Sequence, residues 1–147
     1  MKLSEHFDLS EFTTSQIATR QGIDNRPDPD ELANLRGLSN FLEVVREKVG
    51  KPVIITSGYR CPELNRWVGG SRTSAHMDGR AADIVAPAFG TPADLAELIA
   101  ALDLEFDQLI LEYGDWVHVA VADNPRHQTL TAVHGPAGTV YESGILV

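Results

Sequence analysis

Residues 56–84 read TSGYRCPELNRWVGGSRTSAHMDGRAADI. The β-branched run Val53-Ile54-Ile55-Thr56-Ser57 enters this segment, and Ala81-Ala82-Asp83-Ile84-Val85 leaves it. Both have the composition of short strands. Between them, Pro62–Val68 reads as a short helix and Gly69–Ser74 as a loop. His76 then falls in a loop or at a strand edge, seven residues before Asp83. Gly79 and Ala81, which lie between them, let the backbone come close to a ligand or a metal.

One further residue gives this spacing a chemical meaning. Trp116-Val117-His118-Val119-Ala120-Val121 is a strongly β segment. Period-two alternation puts Trp116, His118 and Ala120 on one face and the valines on the other. With the valines turned to the core, His118 faces the open side. Two imidazoles and one carboxylate suit zinc, and three protein ligands leave a fourth position free, as in catalytic rather than structural sites. A histidine taken singly is more often a hydrogen-bonded structural residue, so the argument rests on the set.

A metal hydrolase also needs a general base and a group that meets developing negative charge. Asp115 lies three residues before His118 and Glu112 six before. Glu112 shares the strand parity of His118 if the turn at Gly114-Asp115 leaves the count undisturbed. A bulge there would change it. Arg60 follows the first strand, and its planar fork matches carboxylates and oxyanions. Ser74, two before His76, is a candidate to bind substrate or to hold the loop. Asp78 and Arg80 are expected to face solvent. Asn65 and Trp67 are read as structural residues and Cys61 as a small packed one.

The rest of the chain supplies a scaffold. Phe7, Leu9, Phe12 and Ile17 mark short helical pieces before the breaker Asn25-Arg26-Pro27-Asp28-Pro29. A helix starts near Pro29 or Asp30, carries Leu32, Leu35, Leu38, Leu42, Val45 and Val49 on one stripe, and stops at Gly50. Thr91 caps a second helix that runs to about Leu102. Phe106–Tyr113 and Trp116–Val121 form a hairpin. Residues 123–147 read as a loop, a short strand around Gln128–Thr131 and a weak tail. The expected fold class is α+β, with a small, mostly antiparallel sheet and helices packed on one side, in a single domain over residues 1–147.

Composition narrows the function. The single cysteine excludes an internal disulfide and a cysteine-rich zinc site. A net charge of −9 argues against general nucleic-acid binding, which draws on Lys and Arg. No apolar run reaches the roughly 20 residues of a membrane span. The opening MKLSEHFDLSEF lacks the apolar core of a secretory signal, so the expectation is synthesis in the cytoplasm without a signal peptide.

Ser74-Ala75-His76-Met77-Asp78-Gly79-Arg80-Ala81-Ala82-Asp83 resembles the S-x-H-x-x-G-x-A-x-D signature of the zinc D-alanyl-D-alanine carboxypeptidase and L-alanyl-D-glutamate endopeptidase family. Trp116-Val117-His118 resembles that family's W-x-H strand, and Ser57-Gly58-Tyr59-Arg60 its S-G-Y-R segment. The opening, His6-Phe7 through Asn25-Arg26-Pro27, resembles the phage and prophage branch. The resemblance spans roughly residues 4–122.

It implies a hedgehog-like fold, Zn2+ held by His76, Asp83 and His118, and hydrolysis of peptide bonds in bacterial peptidoglycan. It also implies transition-state stabilisation by Arg60 and a base at either Asp115 or Glu112. Strand parity and the phage-type branch favour Glu112, with Asp115 as the rival. The expected partner is the wall peptide, not nucleic acid. Action on the wall would follow release through a phage holin lesion, as for an endolysin, or carriage on a virion or tail. The alternative is a non-catalytic, zinc-containing wall-binding or phage structural module.

Overall fold

The computed structural model describes residues 1–147. In chain order its elements are α1 (Leu9–Thr13), α2 (Gln16–Gln21), α3 (Pro29–Val49), β1 (Ile54–Ser57), α4 (Pro62–Trp67), a 3-10 turn (Ala75–Asp78), β2 (Ala81–Val85), α5 (Pro92–Ala101), β3 (Gln108–Glu112), β4 (Trp116–Ala120), β5 (Gln128–Gly135) and β6 (Gly138–Ser143). The strands form one six-stranded sheet in the order β1-β2-β4-β3-β5-β6. All pairings are antiparallel except that of β3 with β5. The class is α+β, as expected. No helix is long and apolar enough to cross a membrane.

The helix ends follow from their residues. Asp28 caps α3 by accepting from the Glu31 amide, Glu31 reaches back in a capping box, and Pro29 takes the first turn, where its missing N–H costs nothing. Gly50 closes the helix in the left-handed region at φ 70°. Thr91, Pro92 and Asp94 do the same for the start of α5. At α1 the cap is Asp8, with Glu11 completing the box. The apolar stripe of α3 is fully buried at Leu35, Leu38, Leu42 and Val45, while Leu32 is only partly covered. Burying each leucine contributes about 1.5–3 kcal/mol.

Strand parity divides the sheet into two faces. Ala82, Ile84, Leu109, Leu111, Val117 and Val119 belong to the core that also contains the stripes of α3 and α5. Their neighbours Asp83, Ile110, Glu112 and His118 do not. Ile110 and Asp83 both lie directly opposite His118, so the three share the other face. The sheet thus presents one face to the helices and the other to an open cleft.

The C-terminal region differs from expectation. In place of a short strand and a weak tail, β5 runs eight residues and pairs with the six-residue β6. Every residue of β6 is exposed. An exposed edge strand has no buried side to write alternation into its sequence, and Gly135, Pro136 and Gly138 break the hydrophobic run. The hairpin was therefore invisible to a periodicity reading.

Asp107, just before β3, ties this region to the sheet. Its carboxylate accepts from the Arg126 backbone N–H (3.0 Å), Nε (2.9 Å) and Nη2 (2.8 Å). These bonds, chiefly those from the guanidinium, hold the Asp107 carboxyl below its usual range against the opposing effect of burial. A depressed folded-state pKa stabilises above the unfolded value of about 4, and that stabilisation is lost as pH falls through the folded value. Asp107→Ala is expected to cost about 1 kcal/mol at pH 7, below the usual range for charged bonds because Arg126 is largely exposed. Urea unfolding at pH 7 and at pH 3 checks it: the gap between variant and wild type should close in acid.

Candidate metal centre

Each candidate residue owes its place to a local device. The 3-10 turn carries His76, and Ser74 starts that turn by accepting the His76 amide with its hydroxyl (3.2 Å). Gly79 ends it at φ 71°, where an added Cβ would stand 2.7 Å from the Glu31 carbonyl of α3. Glycine thus serves both the left-handed backbone and the close approach of helix and turn. His76 is buried and its ring lies 5.1 Å from that of His118.

The three ligand candidates converge. His118 Nδ1 lies 3.1 Å and His76 Nε2 lies 3.3 Å from Asp83 Oδ1. The donor atoms of all three residues lie within 4.8 Å of one another. Atoms bound at about 2.0–2.2 Å on a tetrahedral zinc stand about 3.3–3.6 Å apart, close to the two separations from Asp83 Oδ1.

The tautomer fits as well. His76 Nδ1 is 2.7 Å from the Gly58 carbonyl oxygen, which can only accept. Nδ1 therefore donates to that carbonyl, which leaves Nε2 as the ring nitrogen turned toward Asp83. Such an outer hydrogen bond is what orients a metal-binding imidazole. Burial alone would raise the Asp83 pKa. The hydrogen bonds and charge of His118 and His76 overcome this and hold the carboxyl well below its usual range. The group is an anion ready for a cation.

The centre opens into a cleft of about 790 Å³, lined among others by Arg60, Ser74, Glu112, Tyr113, Trp116, Thr139 and Tyr141. Glu112 stands on the cleft face because the loop between β3 and β4 has three residues, Tyr113-Gly114-Asp115, and pairs Glu112 with Trp116. Tyr113 and Gly114 both have positive φ, 58° and 68°. An odd-length loop keeps Glu112 on the side of His118, and Glu112 Oε1 lies 3.9 Å from His118 Nδ1. Burial first, and the Asp83 charge second, push the Glu112 carboxyl up. Asp115 is exposed in the loop and does not line the cleft.

Arg60 is half-buried at the other end of the site. Its Nη2 reaches the Ser74 hydroxyl at 3.4 Å, and its Nε is buried without a partner. Neither cleft carboxylate pairs with it directly, so the guanidinium keeps capacity for a further acceptor.

Asn25 brackets the segment that carries Arg60, a role its sequence neighbourhood as a breaker did not reveal. Its Nδ2 donates to the Thr13 and Tyr59 carbonyls and its Oδ1 accepts from the Cys61 amide. Its only trace in the sequence is a lone asparagine between Asp24 and Arg26-Pro27. Cys61 is buried, as read, and its Sγ caps α4. Asn65 is buried and holds the Ser71 carbonyl, whereas Trp67 is exposed. Asp78 faces solvent as expected, but Arg80 is half-buried along the cleft and reaches Asp123 at 3.4 Å. The sequence neighbourhood of Arg80 did not disclose that distant partner.

Two imidazoles and a carboxylate at the floor of a cleft, with a second carboxylate and a guanidinium beside them, make the kind of centre that metal-dependent hydrolases use. Residues 5–120 match the family model of Peptidase M15, and the chain belongs to that family. Peptidases of this family are zinc-dependent, and His76, Asp83 and His118 form a group that could bind the metal. A comparison with curated proteins finds no match.

Proposed function

We propose that the protein is a monozinc peptidase that hydrolyses peptide bonds in the stem peptides of bacterial peptidoglycan. The observation that carries the metal assignment is the convergence of His76 Nε2, Asp83 Oδ1 and His118 Nδ1 at the cleft floor. Zinc bound there would polarise the scissile carbonyl and lower the pKa of water toward about 7. Glu112 takes the proton from the attacking water and returns it to the leaving amine. Arg60 donates to the oxygen that gains charge in the transition state. Ser74 holds Arg60 and lines the approach for the peptide. The wall peptide as substrate rests on the signature at Ser74–Asp83. In a phage-type setting the protein would reach the wall after release through a holin lesion or as part of a virion.

The test uses zinc-loaded protein and purified peptidoglycan. About one zinc per chain and the release of new amino groups are expected. A chelator should stop the release, and added zinc should restore it. Zinc-loaded protein that releases no amino groups would instead mark a non-catalytic zinc module. Mass spectrometry of the digested muropeptides then identifies the cleaved bond, D-Ala–D-Ala or L-Ala–D-Glu.

A further inference from the structure

The cleft wall opposite Arg60 is built by residues beyond the matched family segment, which ends at residue 120. Thr139 and Tyr141 of β6 line the same cleft as His76, Asp83 and His118. Strand register explains how they arrive there. Trp116 lies opposite Glu112, Glu112 is aligned with Ala132, and Ala132 lies opposite Tyr141. Laterally aligned residues point to the same face of a sheet, so Tyr141 stands two strands from Glu112 on the cleft side. Only the methyl group of Ala132 lies between them. Ala132 is fully buried although it is outside the hydrophobic core cluster, so the open face is covered above it.

The hairpin is held in this position. The Tyr113 hydroxyl bonds to Thr139 Oγ1 at 2.5 Å, and the Tyr113 ring stacks on His134 of β5 with centroids 4.0 Å apart. Tyr113 sits at φ 58°, an uncommon conformation for a bulky residue. Backbone strain of this kind persists where neighbouring contacts over-determine it. Here those contacts join the β3–β4 loop to the C-terminal hairpin. The Tyr141 hydroxyl has no hydrogen-bond partner within the protein, and more than half of the residue is exposed. Burial of part of the ring, then the charge of Glu112, pushes its phenol up, so it is a neutral donor at physiological pH.

We propose that Tyr141 is a substrate-binding residue, its hydroxyl donating a hydrogen bond to a carbonyl or carboxylate oxygen of the bound peptide, across the cleft from Arg60. The inference rests on the peptidase reading above. It makes the C-terminal hairpin part of the substrate site.

The experiment compares full-length, zinc-loaded wild type with Tyr141→Phe, which removes one oxygen and keeps the ring. The substrate is a soluble disaccharide–pentapeptide muropeptide, and amino-group release is followed. KM should rise about tenfold with kcat within about twofold, as expected for loss of one hydrogen bond made equally in ground and transition states. Zinc content and the urea midpoint should stay at wild-type values. Val140→Thr, on the opposite face of β6, should match wild type throughout. An unchanged KM in Tyr141→Phe overturns the inference. So does a KM rise accompanied by a fall in the urea midpoint, or an equal rise in Val140→Thr. If zinc-loaded wild type releases no amino groups at all, the peptidase reading fails and this inference falls with it.

Discussion

His76→Ala is expected to bring bound zinc from about one per chain to near none and to abolish amino-group release from peptidoglycan. The size of the effect follows from the geometry. His76 is buried, its Nδ1 proton is committed to the Gly58 carbonyl, and its Nε2 is the donor atom 3.3 Å from Asp83. No neighbouring side chain of the 3-10 turn can replace it. Ala75 has no donor atom, Met77 carries only a weak thioether acceptor, and Asp78 is exposed. Two ligands would remain, one short of the three that hold catalytic zinc.

The same change orphans the Gly58 carbonyl and leaves Asp83 with one partner, so the apo protein should also lose about 1–3 kcal/mol. Zinc analysis by atomic emission and urea unfolding with and without zinc separate the two effects. In the wild type, added zinc should raise the unfolding midpoint, because a ligand that binds only the folded state stabilises it. In the variant it should not. A folded variant that keeps one zinc per chain would sink the assignment of His76.

Much of this centre could be read from spacing, and the reasons are local. His76 and Asp83 are carried by adjoining elements, the 3-10 turn and β2, so their seven-residue separation nearly determines their distance. His118 is far along the chain, yet its alternation with Val117 and Val119 assigned its face before any fold was known. The helices were legible because caps and stops are written in single residues: Asp28, Pro29 and Gly50 for α3, and Thr91 and Pro92 for α5. What escaped depends on contacts between distant parts. Asn25 bridges Thr13, Tyr59 and Cys61, and nothing within a few residues of it marks that role. The β5–β6 hairpin escaped because β6 buries no face, and the parallel pairing of β3 with β5 is a long-range choice that no hairpin signal encodes. The parity of Glu112 depended on the length of one loop, which Gly114 left open.

That loop now separates the two candidate bases, and Glu112→Gln is expected to lower the rate of amino-group release by a factor of about 10²–10⁴, the usual worth of a general base. Asp115→Asn should stay near wild type. Glu112 reaches the site because three loop residues return the chain with even-numbered positions still on the cleft face, and its carboxylate comes within 3.9 Å of His118. A water held between the ligands and the scissile carbonyl would lie within reach of that carboxylate. Asp115 is the last residue of the loop, exposed and outside the cleft lining, and its backbone N–H closes the turn onto the Glu112 carbonyl at 2.9 Å. Its side chain lies outside the cleft in which that water would sit.

Glutamine keeps the length and polarity of Glu112 and replaces none of the three ligands, so Glu112→Gln should bind zinc as the wild type does and unfold at a similar urea concentration. Loss of turnover with metal and fold intact is the signature of a base rather than a ligand. The opposite pattern, near-normal release by Glu112→Gln and loss in Asp115→Asn, would move the base to Asp115. It would also require the β3–β4 loop to change conformation when the peptide binds.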